Sequence, residues 1–323
     1  FQRIATARAR YHHGGKDERI GRGVVSLFSY LCQTEMPKVQ QTKGTQPAIA
    51  PIVKWAGGKR QLLPALQSLL PQGWQASTYC EPFLGGGALL WALQPEQAVV
   101  GDLNAELMNM YHVVRDTPHE LVEHLAQHRN TSEYFYQLRM QDREPEFALR
   151  TPLERASRFI YLNKTCYNGL FRVNNAGEFN SPYGRYKHPN IVNRENILAV
   201  SDYLNRAKVT LVHEDYQTVL EHLPDTAFVY LDPPYHPISD TSSFTGYVQG
   251  GWKAGDQKRL RNACRDLNRR GVRFMQSNSD TPLIRELYAE FELTTVQAVR
   301  AVNSKGSGRG AVSELIIRNY VEC

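Results

Sequence analysis

An α/β fold, a parallel sheet with helices on both faces, is what the 323 residues predict. Three observations predict it. From about Ile52, short apolar runs alternate with stretches of helical periodicity, the pattern of strand–helix–strand crossovers. Glycines or carboxylates follow several of the apolar runs, at the strand ends where ligands of such sheets bind. Over residues 118–200 the alternation gives way to a more polar, more helical and then irregular stretch. That stretch reads as an insertion of about 85 residues between the early and the late strands.

The elements follow in order. Residues 1–46 are rich in Arg, Gln, Gly and Thr, and only Val24-Val25-Ser26-Leu27-Phe28 could pack, so they read as a disordered or weakly ordered basic tail. The first methionine is Met36, read as the natural start. Gln61–Leu70 has apolar positions at helical spacing. Thr78–Glu81 ends a short strand, Ala88–Leu93 starts a helix, Ala98–Gly101 is a strand ending at Asp102, and Ala105–Arg115 is helical. In the insertion, Leu153–Leu162 is a helix with Phe159 and Ile160 inside, and Asn163–Asn193 is rich in loops. Strands return at Val209–Val212, at the continuous apolar run Ala227–Leu231, and at Arg273–Met275. Phe291–Val299 and Leu315–Asn319 form a hairpin around a mobile basic loop, Asn303–Gly310. The expected domains are therefore the tail, an α/β sheet domain of residues 47–117 and 201–323, and an inserted domain of residues 118–200.

Hydrophobic content of 41% and charged content of 22% are ordinary for a soluble globular chain. No apolar run approaches the ~20 residues that span a bilayer, and no secretory signal is visible. The five cysteines (Cys32, Cys80, Cys166, Cys264, Cys323) are scattered without C-x-x-C spacing, which speaks against a disulfide framework and a cysteine zinc site. No metal is expected, and a reducing, cytoplasmic setting is. The net charge is +6, but residues 1–46 hold 8 of the 38 Lys/Arg and 3 of the 32 Asp/Glu, leaving 30 against 29 elsewhere. Global charge thus says little about a polyanionic partner; local clusters must.

Four motifs concentrate the chemistry. Asp232-Pro233-Pro234-Tyr235 follows the buried run ending at Leu231. The prolines fix φ and remove two donors while their carbonyls remain acceptors. With the carboxylate and the flat tyrosine they suit a planar group bearing an exocyclic amine, such as adenine or cytosine; a strand followed by a Pro-Pro turn is the plainer alternative. Glu81-Pro82-Phe83-Leu84-Gly85-Gly86-Gly87 is a strand-to-helix turn whose glycines let backbone approach a ligand. It is not the dinucleotide fingerprint, because Leu90 stands where the last glycine or alanine would fall. Gly101-Asp102-Leu103-Asn104 puts an acid where ribose hydroxyls are accepted, with Asn104 as helix cap. Lys54-Trp55-Ala56-Gly57-Gly58-Lys59 combines two cations, an indole and a glycine turn before a helix. In addition, Lys164–Arg194 holds five Lys/Arg and one acid, Glu178, interleaved with tyrosines and phenylalanines. Cations for phosphates and aromatics for bases are what nucleic-acid recognition uses.

The order of these strings, KWAGGK, EPFLGGG, GDLN, YLNKTCYNGLFRVNNAGEFNSPYGRYK and LDPPY, resembles that of the Dam family of DNA adenine-N6 methyltransferases over about residues 50–320. The resemblance implies a Rossmann-like methyltransferase sheet with an inserted, mostly helical target-recognition domain, and S-adenosylmethionine as methyl donor. It implies double-stranded DNA as partner, with GATC as target. Carried over residue by residue, it implies a cofactor site of Trp55, Lys59, Phe83, Gly85, Gly87, Asp102 and Asp232. The catalytic site would be Asp232, Pro233, Pro234 and Tyr235. DNA contacts would be Lys54, Tyr167, Asn168, Leu170, Arg172, Pro182, Arg185, Tyr186 and Lys187, with Lys54 reading the outer guanine. Thr165-Cys166 departs from a more basic, aromatic pair in relatives. A monomer is expected, nucleoid-associated, with any cognate restriction endonuclease a functional rather than a physical partner. The alternatives are amine methylation of cytosine-N4 or RNA adenine, and a non-catalytic DNA-binding regulator on the same fold; a dehydrogenase fits least.

Overall fold

Seven strands form one sheet in the order β3-β2-β1-β4-β5-β7-β6. The computed structural model describes residues 49–237, 252–299 and 311–321; the tail and the loop Asn303–Gly310 lie outside the described residues. The strands are β1 Tyr79–Glu81, β2 Gln97–Gly101, β3 Lys208–Val212, β4 Phe228–Leu231, β5 Arg273–Ser279, β6 Glu292–Val299 and β7 Ala311–Arg318. β1 to β5 pair in parallel, while β7 runs antiparallel to both β5 and β6. The predicted hairpin is therefore present, turned so that its second strand joins the sheet.

Strand order reverses at β1, which lies between β2 and β4. The crevice beyond the carboxyl ends of β1 and β4 is the ligand position of an open α/β sheet. β4 is buried along its whole length, which explains an apolar run with no alternation.

The helices are α1 Leu63–Ser68, α2 Ala88–Leu93, α3 Ala105–Asp116, α4 Pro118–Leu125, α5 Ser132–Met140, α6 Pro152–Thr165, α7 Arg194–Arg206, α8 Tyr216–Glu221, α9 Ala254–Arg269 and α10 Pro282–Leu287. The helix predicted from Gln61 begins two residues later, because Pro64 is tolerated only in a first turn. The α6 helix starts on a capping box of Thr151 and Glu154 and runs on to Thr165, past the predicted Leu162. At α3, the Asn104 side chain accepts the Leu107 N–H at 2.9 Å, as expected of a cap.

The segment between β2 and β3 does not stand apart. Helix α3 packs on α6 and α7, and Phe135, Phe159, Phe171 and Phe179 share one core with Tyr79, Val100 and Phe228. Among the described residues no helix is long and apolar enough to cross a membrane.

One polar knot lies inside this helical layer. Ser157 Oγ stands 2.8 Å from His124 Nδ1 and 2.9 Å from His128 Nε2, while His128 Nδ1 meets the Tyr134 hydroxyl at 2.7 Å. Burial, then the neighbouring His124, pushes the His128 imidazole down to about 4. The groups facing it are His124, Tyr134, Ser157 and Tyr161. Unfolded, the ring titrates near its ordinary 6.5. Between these values the unfolded chain binds the extra proton, so stability falls as pH drops from about 6.5 toward 4. Thermal melts across that window are expected to show a fall in Tm that His128→Gln flattens; an unchanged slope refutes the assignment.

Candidate active site

Asp232 opens the loop after β4, its side chain 20% exposed. The Lys59 ammonium lies 2.7 Å from Oδ1, and the Ser277 hydroxyl donates to the same oxygen at 2.9 Å. Because that hydroxyl proton is committed, the Tyr230 hydroxyl must be the donor in its 3.1 Å contact with Ser277. Among the described residues both donors fall on Oδ1, which leaves Oδ2 to accept from a ligand. Burial pushes the Asp232 carboxyl up, against the pull of the Lys59 charge and the Ser277 bond. Lys59 is itself buried, also donates to the Gly57 carbonyl, and stands 4.5 Å from the Tyr235 ring centroid.

The rest of the loop is pinned by side chains from β5 and α9. The Gln257 amide donates to the Pro234 carbonyl at 3.0 Å and accepts from Asn278 at 3.2 Å. Asn278 Oδ1 accepts the His236 N–H at 3.3 Å, and Ser279 donates to the His236 carbonyl at 2.7 Å. The Pro234 carbonyl is thus occupied, and among the described residues the Pro233 carbonyl has no donor. Beneath the loop, Glu81 is buried at the end of β1 and accepts from the Tyr79 hydroxyl at 2.8 Å. Burial first, and the nearby Asp232 charge, push its carboxyl up to about 8, so it keeps a proton at neutral pH.

Across the crevice the glycine turn is backbone laid open. Gly85 has φ 49 and Gly87 φ 67, values that favour glycine. A Cβ on Gly85 would stand 2.6 Å from Trp55 Cδ1, so the indole lies directly on the turn. Asp102 ties the turn to β2: Oδ2 accepts the Gly85 N–H at 3.0 Å and Oδ1 the Asn104 N–H at 2.9 Å. With the Leu103 N–H as a further backbone donor, the carboxylate still has acceptor capacity for a hydroxyl. Phe83 packs against Tyr216 and Trp252, with ring centroids 5.1 and 5.8 Å apart.

Part of the stretch expected to contact DNA lies against Lys54 and Trp55. Asn163 grips the backbone of Lys54, its Oδ1 accepting the N–H at 2.9 Å and its amide donating to the carbonyl at 2.8 Å. The same amide donates to Gly169 at 3.1 Å, so Lys54 is held against Tyr167-Asn168-Gly169. Trp55 stacks on Phe171, with centroids 5.2 Å apart and planes 20° apart. One indole therefore touches both the glycine turn and the loop that carries Phe171.

Tyr167 is 59% exposed, and its N–H donates to the Pro182 carbonyl at 2.8 Å. Asn168, at φ 58, donates its N–H to the Tyr186 hydroxyl at 2.9 Å. Arg185 is likewise left-handed, at φ 55, and Lys187 is exposed. The Leu170 carbonyl accepts from the buried Ser181. Arg172 does not stand free: Nε donates to Asn180 Oδ1 at 2.6 Å across a small hairpin. That hairpin is anchored by Asp142, which accepts the Phe179 N–H at 2.8 Å and pairs with the buried Arg158 at 3.0 Å.

Sequence reasoning thus missed Ser277, Gln257, Asn278, Asn163 and Glu314, whose carboxylate takes the Tyr235 hydroxyl at 2.8 Å. The one available signal was the polar run Gln276-Ser277-Asn278-Ser279 after the predicted strand Arg273–Met275.

A family model described as D12 class N6 adenine-specific DNA methyltransferase matches residues 55–302. A type II methyltransferase of Lactococcus lactis subsp. cremoris is 43% identical over 274 residues, 84% of this chain and 96% of that one. A type II methyltransferase of Methanocaldococcus jannaschii is 39% identical over 290 residues, 84% of this chain and 99% of the relative. The DNA adenine methylase of Escherichia coli K12 is 34% identical over 269 residues, 82% and 93% of the two chains.

Proposed function

The chain belongs to the D12 class N6 adenine-specific DNA methyltransferases, and from that premise we propose that it methylates adenine in GATC by drawing the base out of the duplex, with S-adenosylmethionine as donor. The residues present fit that cofactor. The open backbone of Gly85 to Gly87, the Asp102 carboxylate with acceptor capacity to spare, and the aromatic Phe83 beside Tyr216 suit a nucleoside. When bound, the cofactor supplies an electrophilic methyl group on a sulfonium. Trp55, Lys59, Phe83, Gly85, Gly87, Asp102 and Asp232 are the residues proposed to hold it.

The single observation that carries the reading is the Asp232 carboxylate, anchored on Oδ1 by Lys59 and Ser277. Oδ2 and the Pro233 carbonyl are then the acceptors for the two amine hydrogens of the target. Accepting both draws the nitrogen lone pair out of conjugation with the ring and directs it at the methyl group. Tyr235 supplies the face on which the base lies. Methylation also requires the amine to shed one proton, which Asp232 Oδ2 would accept and pass to solvent; beyond that, positioning and fixed dipoles supply the rate. Extraction of a paired base costs roughly a few kcal/mol, offset by stacking on Tyr235 and by the bonds at Asp232.

Lys54, Tyr167, Asn168, Leu170, Arg172, Pro182, Arg185, Tyr186 and Lys187 are proposed as the DNA surface. The grip of Asn163 on Lys54 beside Gly169 supports this, since it assembles the first motif and the recognition loop into one edge. Methylation of a plasmid, followed by sequencing with modification detection, tests the base, the atom and the site together. N6-methyladenine confined to GATC is expected; modification of another base or another sequence refutes the corresponding part. In the same assay Arg172→Ala is expected to relax choice at one base pair by about 1–3 kcal/mol. Unchanged discrimination among single-base variants removes Arg172 from the reading.

A further inference from the structure

The two working side chains of the tetrapeptide are held from the far side of the sheet by residues that no motif marks. Opposed residues of an antiparallel pair share a face. Ser279 is opposite Glu314 and Ser277 opposite Ile316, so Ser277, Ser279 and Glu314 line one face of β5 and β7. The loop after β4 lies over that face, since Ser277 bonds Asp232 and Ser279 bonds His236. Glu314 completes the row by accepting the Tyr235 hydroxyl at 2.8 Å.

This contact has a specific mechanical meaning. The χ2 torsion of tyrosine is broad and two-fold, so a ring held only at Cβ samples a range of tilts. A charge-assisted bond at the distal hydroxyl narrows that range. Burial, reinforced by the charges of Asp232 and Glu314, pushes the Tyr235 phenol well above its ordinary value, so it remains a donor.

We propose that Glu314 is the positioning residue for Tyr235, fixing the ring in the tilt that receives the target base. The inference rests on the reading of Tyr235 as the base platform and names the group that sets it. Glu314 itself touches neither base nor cofactor; it acts through the phenol.

The test is a double-variant cycle read by 2-aminopurine emission at the target position of a duplex, with S-adenosylhomocysteine present, and by KM for DNA against kcat. Glu314→Ala is expected to lower the extruded-base signal and raise KM by about tenfold, the loss of one charge-assisted hydrogen bond. Glu314→Gln, which keeps an acceptor, is expected to recover most of it. Tyr235→Phe is expected to reproduce the loss, and adding Glu314→Ala to it should cost nothing more. Should Glu314→Ala be too unstable to assay, Tyr235→Phe and Glu314→Gln alone decide the matter. A Tyr235→Phe enzyme equal to wild type, or Glu314→Ala equally damaging in both backgrounds, overturns the proposal. Loss of the signal in Tyr235→Ala with a normal Glu314→Ala overturns the positioning role while sparing the platform; an unchanged signal in Tyr235→Ala overturns the platform itself.

Discussion

Replacing Asp232 by alanine is expected to reduce methyl transfer by at least about 1000-fold, the scale of removing a preorganised polar group from a reacting centre. The variant deletes Oδ2, the acceptor proposed for the target amine, while the Pro233 carbonyl remains. The structure adds a second consequence that the tetrapeptide alone does not convey. Lys59 is buried against Asp232 at 2.7 Å, and removing one partner of such a pair leaves a cation without its counter-charge. Melting should therefore occur at a lower temperature in Asp232→Ala. Asp232→Asn keeps an acceptor for Lys59 and Ser277, so its melting point should stay closer to wild type while turnover is still lost. Single-turnover transfer of a tritiated methyl group, run beside thermal melts, checks both. Appreciable turnover in a folded Asp232→Ala enzyme refutes the assigned role.

The second large effect is expected at Gly85→Ala. A non-glycine residue at φ 49 costs roughly 1–2 kcal/mol, and the added Cβ stands 2.6 Å from the Trp55 indole. Trp55 must shift, and with it the stack on Phe171. The expected outcome is double: S-adenosylhomocysteine affinity falls at least about tenfold, and preference for the cognate site weakens although no recognition residue has changed. Calorimetry and competition between cognate and single-base-variant duplexes measure the two. A loss of cofactor affinity with intact discrimination refutes the link through Trp55.

Much of this was legible in the sequence because the chemistry lies in short contiguous strings. A buried run ending in Asp232 predicts a strand with a carboxylate at its tip, and β4 is that strand. Asn104 caps its helix because a short polar side chain after a strand has little else to bond. The hidden residues share a different property: their role depends on pairing across long separations. The predicted strand stops at Met275, short of Ser277 to Ser279, since polar residues carry no apolar strand signal. Those three are strand because β7 pairs with them after β4 has ended at Leu231, and the loop after β4 takes their side chains. Glu314 had no local signal at all; its meaning comes from Tyr235, 79 residues earlier. Asn163 looks like an ordinary helix residue until the chain returns 109 residues to present the Lys54 backbone to it.

The indole wedged between Gly85 and Phe171 bears on how such enzymes diversify. The loop proposed to read DNA has inner residues, Phe171 and Phe179, in the core shared with the sheet, and is not a detachable cassette. Transplanting a relative's loop into this chain will succeed only if the graft brings an aromatic to meet Trp55, or changes Trp55 with it. Substitution at the exposed tip, around Tyr167 and Lys187, carries no such obligation. New target sequences should accordingly arise here by drift at the rim rather than by exchange of the module.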